Sequence, residues 1–266
     1  MERHCPGPAT RGPLLSVSRS KAALFGALAA LASVLGLLLV SHSPPATLPS
    51  HPVGLFTSLP IRWTETETVA AMLHPSPPHW ARKVLEATGP IRALNSLTDE
   101  GRAGLAGLSL LVMVQPRALS PQENVALDRW VRGGGRLLLF ADPMLTAPST
   151  FALGDKRRPR DVVLLSPILT HWGLELRFDE DQPAGQRIVQ VAGASIPVDL
   201  PGSFAPLLVA TDCRTESAGL IARCVIGRGR ILAVADAALL EAGDDAERAA
   251  RSEALGHLIE TLRKAP

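Results

Sequence analysis

The chain has 266 residues, and its 27 Lys and Arg residues against 25 Asp and Glu residues leave a formal net charge of only +2. This balance gives no electrostatic case for a nucleic-acid partner, which normally needs a concentrated basic face. Hydrophobic residues make up 46% of the chain and Tyr is absent, so we expect a sizeable core of aliphatic side chains.

The first predicted element is a transmembrane helix at Ala22–Val40, a run without a charged residue. At about 1.5 Å per residue, its length matches the hydrocarbon thickness of a bilayer. Basic residues dominate positions 1–21, which predicts that this segment stays in the cytoplasm and that the chain is a single-pass protein of the inner membrane. The alternative is a cleaved signal peptide, whose apolar region is usually shorter. In either case the rest of the chain is exported to the periplasm.

A proline-rich linker at Ser41–Pro52 separates this segment from an exported domain over residues 53–266. Five elements are predicted at the start of the domain. They are a strand at Val53–Leu59, helices at Thr64–Leu73 and His79–Thr88, and strands at Ile91–Leu94 and Leu108–Val114. The last of these strands is apolar throughout, which is typical of a strand buried on both faces of a sheet.

A strand–helix–strand unit follows. Ser120 and Glu123 form a capping-box pattern that starts a helix, and Gly133 is expected to end it. Arg136–Ala141 is then a second strand buried on both faces. Two such strands joined by one helix are parallel, with a right-handed crossover.

The second half of the domain alternates again. We expect a helix at Asp161–Trp172, a strand at Leu174–Phe178, short antiparallel strands between Arg187 and Ile226, a strand at Arg230–Ala235 and a final helix at Ala246–Leu262. The predicted fold class is therefore α/β, with a mostly parallel sheet flanked by helices and an antiparallel extension.

Asp142 and Asp236 are the candidate ligand-binding residues, because each directly follows a buried strand. Ligands of open parallel sheets bind beyond the carboxyl ends of the strands. The alternative is that each aspartate caps a turn, and in that case Asn should replace Asp142 without loss of stability. The spacing of the His, Cys and acidic residues predicts no metal site, cofactor or catalytic set.

Three cysteines divide between compartments. Cys5 belongs to the cytoplasmic segment and is expected to stay reduced, whereas Cys213 and Cys224 belong to the exported domain and flank a turn. The exported pair is interpreted either as a disulfide or as two small buried thiols, because strand register cannot be read from the sequence.

Three stretches resemble one family. They are QPRALSPQENVALDRWVRGGGRLLLFADP at Gln115–Pro143, LLSPILTHWGLEL at Leu164–Leu176 and IGRGRILAVADAALL at Ile226–Leu240. In order and spacing they resemble the auxiliary proteins of uncharacterised ABC-type transport systems, a group that includes gliding-motility auxiliary proteins. This resemblance implies that an ABC-type permease and its ATPase are the partners of the chain.

The fold of that family is similar to class I glutamine amidotransferases, within the wider flavodoxin-like group. Those enzymes carry a nucleophilic Cys beyond a central strand, and the resemblance puts Asp142 at that place. An aspartate cannot replace a thiolate in this chemistry, so the expectation is a binding domain that is not an enzyme. Two alternatives stay open: a cell-envelope enzyme that uses the carboxylates of Asp142 and Asp236, and a periplasmic sensor of a small ligand.

Overall fold

The computed structural model describes residues 51–63, 65, 78–98, 104–191, 193–207 and 212–264. All of these residues fall within one unit, Ser50–Pro266. The transmembrane helix expected at Ala22–Val40 lies outside the described residues, as does nearly all of the helix expected at Thr64–Leu73. Among the residues that are described, no helix is both long enough and apolar enough to cross a membrane.

The described elements follow the predicted alternation of strands and helices. The strands are β1 (Val53–Thr57), β2 (Ile91–Ala93), β3 (Leu110–Val114), β4 (Arg136–Phe140), β5 (Leu174–Arg177), β6 (Arg187–Val191), β7 (Ala194–Val198), β8 (Ser203–Pro206), β9 (Cys213–Glu216), β10 (Ile221–Ile226) and β11 (Gly229–Val234). The helices are α1 (Trp80–Thr88), α2 (Pro121–Arg132), α3 (Ser166–His171) and α4 (Asp245–Lys264), and a short 3-10 helix occupies Ala238–Leu240.

A seven-stranded sheet in the order β2-β1-β3-β4-β11-β10-β9 forms the centre of the domain. The first five strands of this order are parallel, and β10 and β9 extend the sheet in antiparallel fashion. Two further antiparallel pairs, β5 with β8 and β6 with β7, lie outside this sheet. The predicted fold class, α/β with a mostly parallel sheet and an antiparallel extension, is confirmed. When only the five parallel strands are numbered along the chain, so that β11 becomes the fifth, their order across the sheet is 2-1-3-4-5, as in flavodoxin-like folds.

Helices cover both faces of the sheet. Because side chains alternate along a strand, β3 sends Leu110, Val112 and Val114 into the hydrophobic cluster that contains residues of α1 and α4. Its Leu111 and Met113 belong to the opposite cluster, together with residues of α2 and α3. The sequence of β3 is therefore apolar throughout because both faces of the strand are buried, as predicted.

The capped helix of the strand–helix–strand unit is confirmed in detail. The side chain of Ser120 accepts a hydrogen bond from the Glu123 backbone N–H at 3.2 Å, and the Glu123 carboxylate accepts one from the Ser120 N–H at 2.9 Å. Gly133 ends α2, as the glycine run predicts. The unit delivers β4 beside β3, which brings the carboxyl ends of both strands to one edge of the sheet.

The helix predicted at Asp161–Trp172 is wrong in its first half, since α3 begins only at Ser166. The preceding segment is held by backbone hydrogen bonds to the turn after β4. Leu145 N–H donates to the carbonyl of Asp161 at 2.9 Å, and Val163 N–H donates to that of Asp142 at 3.1 Å. Pro167 then lies in the first turn of α3, the position where proline fits a helix.

Cys213 and Cys224 lie opposite each other on β9 and β10, with their Cα atoms 4.1 Å apart, and they are joined as a disulfide. Both residues are buried at the antiparallel end of the sheet. They take no part in the strand ends that carry the candidate site.

Candidate functional site

Polar residues collect where four parallel strands end. Ser58 and Gln115 directly follow β1 and β3, and Asp142 and Asp236 come two residues after β4 and β11. Because these strands are parallel neighbours, the topology brings all four residues to the same edge of the sheet. This edge is where open α/β sheets bind their ligands.

Asp142 is 1% exposed, and its carboxylate bonds to the backbone. One oxygen accepts from the N–H of Met144 at 2.8 Å, and the other accepts from the N–H of Ala237 at 3.1 Å. Burial raises the pKa of this carboxyl to about 6, although both backbone hydrogen bonds oppose the shift. The side chain thus ties the turn after β4 to the turn after β11.

Asp236 has the same kind of surroundings and is also 1% exposed. Its two oxygens accept from the backbone N–H groups of Ala238, at 2.6 Å, and Asp199, at 2.9 Å. Burial, followed by the negative charge of Asp142, raises the pKa of Asp236 to about 8. The structure therefore brings the two predicted candidate residues together.

All four carboxylate oxygens of this pair serve as turn caps. A catalytic nucleophile or a metal ligand needs an oxygen that can reach substrate or ion, whereas Asp142 and Asp236 are almost completely enclosed. Among the described residues, no group of three or more His, Cys, Asp or Glu side chains is arranged to hold a metal ion. The geometry favours the capping interpretation that the sequence left open.

Gln115 holds the strand ends together. It is fully buried and has a backbone φ of +42°, an uncommon conformation for a residue other than glycine. Its amide nitrogen donates to the carbonyls of Asp142, at 3.0 Å, and Arg160, at 2.8 Å. Its amide oxygen accepts from the N–H of Asp142 at 2.9 Å. The side chain consequently fixes both ends of the 143–159 loop against β3.

Ser58 extends this network to β1. Its hydroxyl donates to the backbone carbonyl of Gln115 at 2.5 Å and accepts from the N–H of Arg160 at 3.1 Å. The loop that ends at Arg160 is therefore pinned beside the carboxyl end of β1.

A cavity of about 350 Å³ opens next to this pinned loop. It is lined by Phe56, Thr57, Ser58, Trp63, Leu94, Asn95, Arg117, Lys156, Arg157, Arg158 and Arg160. We call this cavity the basic crevice, because five of its lining residues are cationic and none of those described is acidic. It lies at the ends of β1 and β2, beside the point where the order of the parallel strands reverses. A reversal of this kind leaves a crevice that binds ligands in doubly wound folds.

Arg117 forms a rigid wall of the basic crevice. Its guanidinium group donates to both oxygens of Glu123, at 2.8 and 2.7 Å, and to the carbonyl of Asn95 at 2.8 Å. It also lies over the ring of Phe56, 5.1 Å from the ring centre. Burial of Glu123 raises the pKa of its carboxyl, but hydrogen bonds from Arg117, Ser120 and Leu97 outweigh burial and lower that pKa to about 2.

The sequence-based reasoning did not identify Ser58, Gln115 or the basic crevice. Two signals were present: Gln115 is a polar residue directly after the apolar strand β3, and residues 156–160 form the run KRRPR. Neither signal says which strand end the loop reaches. That information comes from the hydrogen bonds of Gln115 and Ser58 to Arg160.

Comparison with known proteins gives only distant likenesses. No family model and no curated protein sequence matches the chain. Among solved structures, an exo-β-1,4-mannosidase from an Opitutaceae bacterium is 13% identical with a TM-score of 0.49, covering 81% of this chain and 36% of that one. A GH42 β-galactosidase from G. stearothermophilus is 14% identical with a TM-score of 0.47, covering 82% and 31%. A ThuA-like protein from Bacteroides uniformis is 8% identical with a TM-score of 0.44, covering 80% and 93%.

The prediction that the chain is not an enzyme is contradicted by this comparison, because the mannosidase and the β-galactosidase are glycoside hydrolases. The chain spans about a third of the length of each of them. With TM-scores under 0.5, the likenesses say nothing about which reaction or substrate this chain would have.

Proposed function

We propose that this chain is a membrane-anchored accessory subunit of an ABC-type transport system, with an amidotransferase-like α/β domain on the periplasmic side. The N-terminal segment stays in the cytoplasm, residues 22–40 span the inner membrane, and the permease and ATPase of the system are the partners. The ligand-binding part of the domain is the carboxyl edge of its parallel sheet.

The observation that supports this proposal most is the structure of the Gln115–Pro143 stretch, which carries the resemblance to transport auxiliary proteins. Its segments form one continuous unit: the capped helix α2, the glycine turn and the strand β4. Both ends of the stretch meet at the candidate site, where Gln115 bonds to the backbone of Asp142. The residues of the motif thus form the carboxyl edge of the sheet, where we propose that ligands bind, and this supports an accessory domain with a binding role.

The test is co-purification of the full-length chain after gentle detergent extraction of membranes. We expect an ATPase and a polytopic permease to be recovered with it. The matched control is a tagged chain of residues 1–52 alone, which keeps the proposed anchor and linker but lacks the domain. Recovery of the same proteins with both chains, or of neither protein with the full chain, would argue against the proposal.

The topology has a separate test. A reporter that is active only outside the cytoplasm, fused after Pro266, should be active, and the mature protein should retain residues 1–40. A mature form that lacks these residues would show instead that Ala22–Val40 is a cleaved signal.

A cell-envelope enzyme that uses Asp142 and Asp236 is the second candidate, favoured by the raised pKa of both buried carboxyls. Such shifts are common among catalytic acids and bases, although structural carboxylates show them as well. The capping bonds of all four oxygens weigh against this candidate, and the Asp142→Asn variant described in the Discussion separates the two functions.

A further inference from the structure

We infer that the basic crevice binds the phosphate group of a small ligand. This inference does not depend on the transporter partnership, because it rests on the lining, charge and rigidity of the crevice alone.

The charge of the crevice is the first argument. Three of its five cations have carboxylate partners outside the cavity: Arg117 with Glu123, Arg157 with Asp155 and Arg158 with Asp161, at 2.7, 2.7 and 3.0 Å. No carboxylate among the described residues forms an ion pair with Lys156 or Arg160, and both side chains are exposed at the cavity.

An excess of two cations matches a phosphate monoester, which carries a charge of about −1.5 to −2 near neutral pH. Arginine and lysine bind phosphate oxygens through short, charge-assisted hydrogen bonds. A carboxylate, with a single negative charge, would leave part of this excess uncompensated.

Rigidity is the second argument. A ligand site gains affinity when its groups are held in place before binding. The backbone of Arg160 is fixed by Ser58 and Gln115, and Arg158 donates to the carbonyl of Phe151 at 2.8 Å. The guanidinium of Arg157 lies over the ring of Phe151, 4.2 Å from its centre. The cations of the 156–160 run are thus carried by a loop with several independent anchors.

The walls and size of the crevice define the rest of the ligand. Trp63 is 39% exposed, and its ring lies 5.9 Å from that of Phe151, so it offers an apolar surface at the cavity. A volume of about 350 Å³ is at the lower end of the usual range for small-molecule sites. The ligand is therefore a small phosphate monoester, either a free metabolite or the headgroup of a lipid.

The experiment is isothermal titration calorimetry of the full chain in neutral detergent with inorganic phosphate as the probe and sodium chloride of equal ionic strength as the comparison. The test variant is Lys156→Gln/Arg160→Gln. The matched control is Lys83→Gln/Arg187→Gln, which removes one exposed lysine and one exposed arginine from α1 and β6. We expect phosphate affinity to fall about tenfold or more in the test variant and to change less than about twofold in the control. Melting temperatures of all three proteins show whether the fold is intact.

Competition distinguishes the two sources of the phosphate group. Displacement of inorganic phosphate by glycerol 1-phosphate indicates a free ester, whereas displacement by micelles with phosphatidic acid, whose headgroup is a phosphate monoester, but not by micelles with phosphatidylcholine alone, indicates a lipid headgroup. Either outcome supports the site. Absence of phosphate binding, equal heats with chloride, or equal losses in the two double variants would overturn it, and none of these results bears on co-purification with a transporter.

Discussion

The carboxyl edge of the sheet has two unlike halves. At β4 and β11 the aspartates are buried, and every oxygen of their carboxylates accepts a backbone hydrogen bond. At β1 and β2 the cations line an open cavity, and Lys156 and Arg160 have no ion-pair partner among the residues described. The first half contains the two carboxyl groups whose pKa is raised by burial, whereas the second contains the side chains that a ligand can reach.

Two properties that often occur together at active sites, a shifted pKa and an accessible charged side chain, are separated on this domain. Burial raises the pKa of a carboxyl whether or not the group ever meets a ligand. Accessibility and uncompensated charge are what a binding site requires. On this domain the two properties lie on neighbouring strand ends, so the raised pKa values and the accessible charges point to different halves of the edge.

The largest effect is expected from Gln115→Ala, which would remove the link between the two halves. The change leaves the N–H and carbonyl of Asp142 and the carbonyl of Arg160 without their partner. We expect the free energy of unfolding to fall by about 2–4 kcal/mol, measured by urea denaturation of the full chain. Gln122→Ala, at an exposed position of α2, is the control and should cost less than about 0.5 kcal/mol. Equal losses in the two variants would contradict the role of Gln115.

Asp142→Asn tests whether the half of the edge at β4 and β11 has a structural role. Asparagine keeps one acceptor oxygen but places an NH₂ group against the second backbone N–H, so only one of the two caps at Met144 and Ala237 survives. The sequence-based expectation that Asn would preserve stability is thus revised to a loss of about 1–3 kcal/mol. Thermal unfolding beside complementation of a deletion strain is the measurement. Full stability with lost complementation would refute the capping role and favour the enzyme.

The pH dependence of stability tests the same half without changing its shape. The pKa of Asp236 is raised from 3.8 to about 8, so the folded state binds more protons than the unfolded state between these values, and stability must fall as pH rises. The lowered pKa of His79, from 6.5 to about 4, acts in the opposite direction, and its effect fades as pH rises above 6.5. From pH 6.5 to 8 we therefore expect unfolding free energy to decrease by about 1 kcal/mol.

Urea titrations at several pH values measure this slope. In Asp236→Asn the slope above pH 6.5 should become nearly flat, even though the variant is less stable overall. Wild-type stability that stays constant or rises over this interval would contradict the raised pKa of Asp236.

The smallest effect on stability is expected from Lys156→Gln and Arg160→Gln, which lie at the open cavity beside β1 and β2. Both side chains are exposed, and neither forms a salt bridge within the described part of the chain. Each change should alter the unfolding free energy by less than about 0.5 kcal/mol, as measured by urea denaturation. A loss comparable to that of Gln115→Ala would mean that these cations hold the loop rather than serve a ligand.

Most of the fold can be predicted from the sequence, because its signals are local. The apolar runs of β3 and β4, the capping box at Ser120 and the glycine after α2 each specify an element within a few residues. The predicted start of α3 was wrong because the residues before Ser166 form backbone hydrogen bonds with the turn after β4, which the local sequence pattern does not show.

The site was predictable only in part for the same reason. Asp142 and Asp236 could be found because each follows a recognisable strand. The basic crevice combines the ends of β1 and β2 with a loop about a hundred residues later, and the bond between Ser58 and Arg160 that joins them is a tertiary contact without a sequence pattern.

The amide group of Gln115 has one more consequence. It forms hydrogen bonds with the backbone of both Asp142 and Arg160, so a side chain of the sheet holds the two ends of the intervening loop together. For a loop with fixed ends, doubling the length costs only about 0.6 kcal/mol in closure entropy. Residues between these two fixed positions, including Lys156 of the crevice, could be inserted, deleted or exchanged while the strands beneath stay as they are. The 143–159 loop can thus be exchanged without changing the sheet, and a new ligand preference could be introduced by grafting this one segment.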